Sequence, residues 1–457
     1  MKTGYIHRKS MNPCGLRFDS SYHLSDGVAV KRVIASSPYP LMPIEKAADR
    51  IFIGGRARRV YVKDREHGIP FLSSSDILQA DLEAVKLASK KYTPNVEDMK
   101  LQKGWTLITR SGTIGNCAFA NAKHAQKLAS EHVIRLVPNN ILREGYIYAY
   151  LASKQGYSLL TQGTFGAVIQ HIEPAYVASL PIPVAPESFQ QEVDDLIQES
   201  ARLREEAATS LEEAKNILSN YINIKFESTS GCVKATRNIQ DIRKSLQCRL
   251  DPPALMNNSV LVFERLKEHC VELGNCNVKI YRPGIFKRCY VKDGLPYIKG
   301  SEIFNVNPFM RCDHLSRTKT PFVDLMKLRE GQLLITCAGS VGQVKYITKE
   351  YEDKGAIGSQ DIIRLESSDA LFTAEYLFAY LQLPLANDYM QSMKYGSVIE
   401  RIEPFHVESI PIIKPTQELS DEITALIKRY KDCTYRAFCA EEEAISMVEE
   451  KIESWTK

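Results

Sequence analysis

The chain has 457 residues, a formal net charge of +4, 44% hydrophobic residues and 25% charged residues. That composition is ordinary for a globular protein and the length suits two or three domains, which excludes collagen, wholesale disorder and coiled coil throughout. No stretch approaches the ~20 apolar residues that span a bilayer. The opening MKTGYIHRKSMNP is basic without an apolar stretch behind it, so no secretory signal is expected and the protein should be cytoplasmic.

In chain order, the first element that points to chemistry is a glycine turn. Gly54-Gly55 is followed by Arg56, Arg58 and Arg59, then by the strand-like Tyr61-Val62-Lys63. A turn feeding a basic, aromatic strand presents cations to phosphate and arginine forks to guanine edges. Ser73, Ser74 and Ser75 form a small polar loop able to donate hydrogen bonds to phosphate oxygens. Residues 78–103 read as a polar helical stretch. Thr106–Thr109 reads as a strand, followed by Arg110 and Ser111 and then Gly112-Thr113-Ile114-Gly115, two glycines spaced for a tight turn between strands. The strand Val133–Leu136 and the helix Glu144–Lys154 come next.

After Pro186 the chain becomes a heptad helix. Steps of 4-3-4-3 from Phe189 land on Val193, Leu196, Ser200, Leu203, Ala207, Ser210, Ala214, Ile217 and Tyr221. The same steps from Leu419 land on Ile423, Leu426, Tyr430, Cys433, Ala437, Ala440, Ala444 and Met447. Long seams rich in small residues favour an antiparallel coiled coil between the two helices. Such a pairing would set the globular parts at opposite ends of a rod, about 50 Å long for 33 residues at 1.5 Å each. The alternative is two amphipathic helices, each packed on its own domain.

The second half repeats the first. GWTLITRSGTIGNCAF from Gly104 returns as GQLLITCAGSVGQVKY from Gly331, and GAVIQHIEPAYVASLPIPV from Gly166 as GSVIERIEPFHVESIPIIK from Gly396. Tyr61–Asp64 returns unchanged as Tyr290–Asp293, Val133–Leu136 returns as Ile362–Leu365, and Arg17-Phe18-Asp19 matches Arg249-Leu250-Asp251. Lys287 and Arg288 therefore take the place of the first copy's arginines, beside Tyr290 and Lys292. Lys299 and Ser301, in Lys299-Gly300-Ser301-Glu302, take the place of the serine loop. Cys337 and Ala338 replace Arg110 and Ser111. Residues 78–103 have no evident counterpart in the second copy. The order is kept throughout, so the chain is a duplicated α+β unit: 1–185 and 226–415 globular, 186–225 and 416–457 helical.

Charge follows the same division. Residues 1–185 hold 24 Lys and Arg against 14 Asp and Glu, and residues 226–415 hold 25 against 22. The helical segments hold 10 against 19. Basic globular parts joined by acidic helices suit a nucleic-acid binder whose helices face protein.

Catalytic signatures are missing. There is no GxxxxGK[ST] loop and no GxGxxG. Asp251-Pro252-Pro253-Ala254 is near the Asp-Pro-Pro-aromatic motif of adenine methyltransferases, but Ala254 stands where the stacking aromatic belongs, and we read it as a turn. Glu352 in Glu352-Asp353-Lys354 has nuclease-like spacing without a partner Asp. Glu173 and Glu403, in repeated Ile-Glu-Pro, are expected to fix a turn. His171 aligns with Arg401, which argues for a polar contact. The 11 cysteines form no CxxC, the nearest pairs being Cys270/Cys276 and Cys433/Cys439, so no metal site is expected.

The duplicated LITxxGTIG, Ile-Arg-Leu and GxxIxxIEP blocks, each followed by a heptad helix, resemble the specificity subunit of type I restriction–modification systems and its close type IIB relative. The resemblance implies mixed α/β target-recognition domains, each reading one half of a bipartite site in double-stranded DNA. It implies that the paired helices, through Phe189, Val193, Leu196, Leu203, Leu419, Ile423, Leu426 and Met447, dock two methyltransferase subunits and through them a restriction/translocase subunit. It further implies that S-adenosylmethionine, ATP and magnesium belong to partner subunits, with no cofactor or catalytic residue in this chain. The family's usual Glu-Gln pair at the start of the helix is altered here to Ser188–Gln191 and Thr416–Leu419. The rival readings are a two-headed adaptor without DNA specificity and a DNA-modifying enzyme using Asp251 or Glu352.

Overall fold

A computed structural model describes residues 19–56, 59–165, 170–222, 236, 238–244 and 248–456. The expected positions Arg17, Phe18, Arg58 and 166–169 lie outside the described residues. The chain divides into two units, 1–205 with 436–457, and 206–435.

In the first unit a four-stranded antiparallel sheet runs in the order Ala48–Ile53, Val133–Pro138, Thr106–Thr109, Cys117–Phe119. A smaller sheet has the order Tyr61–Val62, Leu87–Ser89, Gly68–Leu72, Leu128–Ala129, the last pair parallel. Leu41–Pro43 pairs with Pro181–Pro183. The second unit has the same plan. Its main sheet is Val278–Tyr281, Ile362–Ser367, Leu333–Thr336, Val344–Tyr346. Its small sheet is Tyr290–Val291, Asp313–Leu315, Leu295–Ile298, Ile357–Gly358, and Cys270–Glu272 pairs with Pro411–Ile413. The repeated sequence blocks are thus repeated strands in a repeated order.

Period-2 alternation decides which side chains fill each layer. In the second unit Leu333 and Ile335 point to a core shared with Tyr376, Phe378, Tyr380, Ile423 and Ile427. Leu334, between them, points instead to Ile298, Ile303 and Ile362 under the small sheet. In the first unit Leu107 and Val133 likewise meet Leu72, Leu82 and Ala129. The helix Glu144–Ala152 is apolar all round because it is buried all round. Tyr146 and Tyr150, four apart and so on one helical face, donate to Pro183 O and Pro181 O at 2.9 and 2.6 Å. Tyr376 and Tyr380 do the same to Ile413 O and Pro411 O.

The heptad segments are helices Glu187–Ile222 and Gln417–Glu453. In the first unit Lys451 lies 5.1 Å from the Phe189 ring and Arg436 Nη2 lies 3.3 Å from Glu199, so the two helices run antiparallel there. Glu441, 2% exposed, accepts from Tyr148 at 2.5 Å and from Arg204 at 2.7 Å. In the second unit Arg429 pairs with Glu206 at 2.8 Å, and the Tyr221 hydroxyl donates to Lys414 O. Val193, Leu203, Leu419 and Ile423 are buried, while Phe189, Leu196, Leu426 and Met447 are half-buried beside the buried Ile197, Ile427 and Val448. The apolar stripe is wider than a heptad seam because, within each unit, the helical segments also pack on the globular residues. Asp194 accepts the Gly145 N–H at 2.8 Å, an approach that a side chain at Gly145 would block, since its Cβ would meet Asp194 Oδ1 at 2.5 Å. Thr373 and Thr424 share a hydrogen bond in the second unit.

Two sequence expectations are corrected. Residues 78–103 are not a long helix, and they have a counterpart. They contain the strand Leu87–Ser89 and the short helix Val96–Met99, matched by Asp313–Leu315 and Val323–Met326. Buried Leu82, Ala88, Met99 and Leu101 hold this segment by long-range packing that its polar sequence does not display. Asp251-Pro252-Pro253-Ala254 is no simple turn: Asp251 is the N-cap residue of the helix Pro252–Met256, with proline at the first helical position where its missing N–H costs nothing.

Candidate nucleic-acid interface

In each unit one end of the main sheet gathers the loops that sequence singled out. In the first, the strand Ala48–Ile53 ends at Gly54-Gly55 and delivers Arg56 and Arg59 beside Glu131, in the loop before the central strand. Arg59 Nη2 donates to both Glu131 oxygens, at 2.9 and 3.0 Å. Arg56, whose side chain is 89% exposed, reaches within 3.9 Å of the same carboxylate. Partial burial opposes ionisation of Glu131, yet its own backbone N–H and the Arg59 guanidinium outweigh that and hold it below the usual carboxylate range.

The hairpin loop closes on this cluster. Ser111 is buried and shares a 2.7 Å hydrogen bond with His132 Nδ1, while His132 Nε2 lies 3.6 Å from Glu131. Arg110 donates to Ile172 O at 3.1 Å and is paired with Glu173; His171 Nε2 is 3.6 Å from the same carboxylate. Gly112 and Gly115 have φ of +78° and +83°, the left-handed region this turn requires. Ser74 borders the turn, since a Cβ on Gly112 would lie 3.8 Å from its Oγ. Ser73 and Ser75 are joined hydroxyl to hydroxyl at 3.0 Å, and the Ser73 N–H is taken by Asp76. Tyr61, 41% exposed, packs edge-on against Phe71 with Lys86 over its face, and Lys63 is exposed just beyond the same edge strand.

The second unit builds the same end differently. Arg288 Nε donates to the Tyr297 hydroxyl at 2.9 Å, and its guanidinium is 3.8 Å from Asp361. Lys287, Tyr290, Lys292 and Ser301 are exposed. Lys299 is drawn to Asp313 at 2.6 Å and to Glu302 at 3.3 Å. Where Arg110 holds Glu173 in the first unit, Arg282 holds Glu403 at 3.1 Å in the second and also donates toward Cys337 Sγ. The cation has moved from the hairpin to the end of the edge strand, and the carboxylate has stayed. Glu173 and Glu403 prove to be N-cap residues, of the helices Pro174–Ala178 and Pro404–Glu408, rather than turn residues alone.

Two residues at this end were quoted in the repeated strands without a role. Arg135 and Arg364 are fully buried. Arg135 donates to the carbonyls of Ala129 at 2.5 Å, Val133 at 2.9 Å, Met99 at 3.3 Å and Ser130 at 3.4 Å. Arg364 makes the matching bonds to Gly358, Ile362, Met326 and Ser359. Burial pushes each guanidinium down to about 10, which leaves it charged at neutral pH. Each arginine thus ties down the loop that carries Glu131 and His132, or Gln360 and Asp361. Gly54 is required beside Arg135, because a Cβ there would lie 2.8 Å from Nη2. The sequence signal was a charge inside an otherwise apolar strand, present in both copies.

The residues favoured by the enzyme reading have structural engagements. Asp251 is paired with Arg249, and Glu352 accepts the Glu330 N–H at 3.1 Å. Among the described residues no helix is long and apolar enough to cross a membrane.

No curated protein matches the chain. Among solved structures it is similar to a type I restriction–modification S subunit from M. genitalium, at 13% identity over 91% of this chain and 96% of that one, with a TM-score of 0.33. It is also similar to an HsdS subunit from Thermoanaerobacter tengcongensis, at 13% identity over 92% and 97%, with a TM-score of 0.28. The model of the type I restriction modification DNA specificity domain matches twice, over residues 54–204 and 279–436, and those segments contain both loop clusters described above. With more than half of its length matched, the chain belongs to the type I restriction modification DNA specificity domain family.

Proposed function

We propose that this chain is the non-catalytic DNA-recognition subunit of a restriction–modification complex, acting in the cytoplasm. Each unit reads one half of a bipartite, asymmetric site in double-stranded DNA. The long helices dock two methyltransferase subunits, and through them a restriction/translocase subunit; S-adenosylmethionine, ATP and magnesium bind on those partners. Affinity comes from Lys and Arg on phosphates, and specificity from loop side chains on base edges. The observation that carries this reading is one scaffold built twice with different side chains at the same end: Arg59, Glu131, His132 and Ser111 in one unit, Arg288, Gln360, Asp361 and Ala338 in the other. Two different reading heads need a site with two different halves.

The test is single-molecule sequencing of methylated adenines in host DNA with the gene intact and deleted. Loss of methylation at one two-part asymmetric motif on deletion is the expected result. A motif that is a perfect inverted repeat would refute the two-head assignment. Salt-insensitive binding of every partner by the purified chain would favour the adaptor, because phosphate contacts release counterions.

A further inference from the structure

The repeated block Gly-x-Val-Ile-x-x-Ile-Glu-Pro carries two aliphatic residues ahead of the N-cap glutamate. In the second unit its first half is an exposed apolar tip on a held stem. Tyr395 and Arg401 exchange backbone hydrogen bonds at 3.0 and 2.8 Å. The Tyr395 hydroxyl binds Glu403 at 2.9 Å and its ring stacks on His406. Arg401 also bridges to Ala338 of the hairpin, and Ile402 N donates to Cys337 O at 3.0 Å. Lys394 pairs with Glu400 across the neck. Gly396, at φ +102°, makes the reversal, and a Cβ there would lie 2.5 Å from Ile399 O. What the stem presents is Val398, 93% exposed, and Ile399, 54% exposed.

A stem this well bonded ending in two aliphatic side chains is a poor solvent surface and a good wedge. Val and Ile are stiff at χ1, so little freedom is lost on contact. They carry no hydrogen-bonding group, so the one base-edge contact open to them is with a thymine methyl. Instead they fit the mode in which aliphatic side chains enter between base steps and unstack them. The stem hangs from the hairpin of the candidate DNA-binding end, with the half-buried Arg401 at its neck as a cation for phosphate. The first unit has the same stem: Phe165 and His171 exchange hydrogen bonds at 3.0 and 2.9 Å, and His171 bridges to Ser111. Between them lies the same Val-Ile, at Val168 and Ile169, outside the described residues. The Val-Ile pair recurs in the sequence of both copies while the neighbouring Arg110-Ser111 and Cys337-Ala338 differ, which suits a contact indifferent to DNA sequence. Two side chains are also far too little for a stable protein interface of about 800 Å² per partner.

We propose that Val398 and Ile399 form an apolar wedge that enters the DNA stack in the second half-site. This rests on the DNA-recognition reading. The test uses the whole complex with its methyltransferase subunits and duplexes carrying the methylated motif. 2-Aminopurine is scanned through the second half-site at every position except the methylated adenine. The wild-type complex should raise fluorescence at one step. The double variant V398S/I399S should lose that rise and bind ~10-fold more weakly. A variant that keeps both the rise and the affinity overturns the wedge, as does one that loses its methyltransferase subunits on purification, since the tip would then be a protein contact. A wild-type complex with no preference for the motif duplex over a scrambled one overturns the DNA-recognition reading itself, and the wedge with it.

Discussion

Replacing Arg135 by Met should loosen the first reading head without unfolding the chain. The guanidinium is fully buried, and its donors serve four carbonyls, the two nearest at 2.5 and 2.9 Å. Losing two charge-assisted hydrogen bonds and stranding their buried acceptors costs about 5–8 kcal/mol in gross terms. Against that, the variant no longer buries a charge. The fall of this guanidinium to about 10 from its ordinary value corresponds to a burial cost of about 3 kcal/mol, which is recovered. The net destabilisation is therefore about 2–5 kcal/mol, and it falls on the loop 129–133. Amide hydrogen exchange should accelerate at Ser130–Val133, and binding should become indifferent to the first half-site while the second is still read. Arg135→Lys should recover only part of this, since one ammonium cannot reproduce the planar fork. Unchanged exchange in that loop together with full first-half preference would refute the positioning role. Arg364→Met should move the same loss to the second half-site.

Changing Arg59 to Ala should weaken recognition of the first half-site by about 1–3 kcal/mol, as for one lost base contact, and spare the second; equal loss at both halves in a binding-site selection would sink the assignment. His124 is buried, accepts the Asn121 N–H at 3.2 Å, and is held neutral by burial with its pKa pushed down to about 3, against 6.5 in the unfolded chain. The unfolded chain therefore takes up this proton first, so the contribution is absent above pH 6.5 and stability falls below it, by roughly 3 kcal/mol at pH 4.5. His124→Gln should show a shallower decline between pH 6.5 and 4.5 in chemical denaturation, and an identical slope would remove His124 from the account. Finally, Arg110→Cys should lower the thermal midpoint slightly, and adding Ile53→Arg, the position matching Arg282, should restore it. The pair is half-exposed, so the coupling in a double-mutant cycle should be ~0.5–1 kcal/mol, and zero coupling would mean that the arginines of the two units are not equivalent.

The scaffold was largely legible from sequence because its elements announce themselves locally. The glycine pairs at Gly112/Gly115 and Gly339/Gly342 mark hairpins, all four at positive φ. The apolar helices and the heptad helices stand close to where their periodicity places them. What stayed hidden depends on partners far apart in sequence. Arg59 finds Glu131 72 residues away, and Arg110 finds Glu173 63 away. No spacing rule connects such pairs, so nothing in the sequence joins Glu131 to Arg59 or His132 to Ser111. Residues 78–103 failed for a related reason. The strand Leu87–Ser89 exists only because Tyr61–Val62 and Gly68–Pro70 flank it, and a polar segment that gains its structure from neighbours looks helical in isolation.

The duplication separates what the fold needs from what reading needs. Arg135 and Arg364 are held alike, with the same four carbonyl positions in each unit. So are the tyrosine pairs that bond the proline-bearing strands. These are requirements of a fold that must bring five loops to one end of a sheet. The carboxylates Glu173 and Glu403 also persist, but their arginine comes from the hairpin in one unit and from the edge strand in the other. An ion pair that survives relocation of one member is needed for its charge balance, while the vacated hairpin positions carry the small side chains of Cys337 and Ala338. Variation is thus concentrated on side chains whose loops are fixed from below by buried arginines. Under the proposed function, such a scaffold exchanges one half-site preference for another without refolding, since the side chains proposed to touch DNA are not the groups that hold the loops.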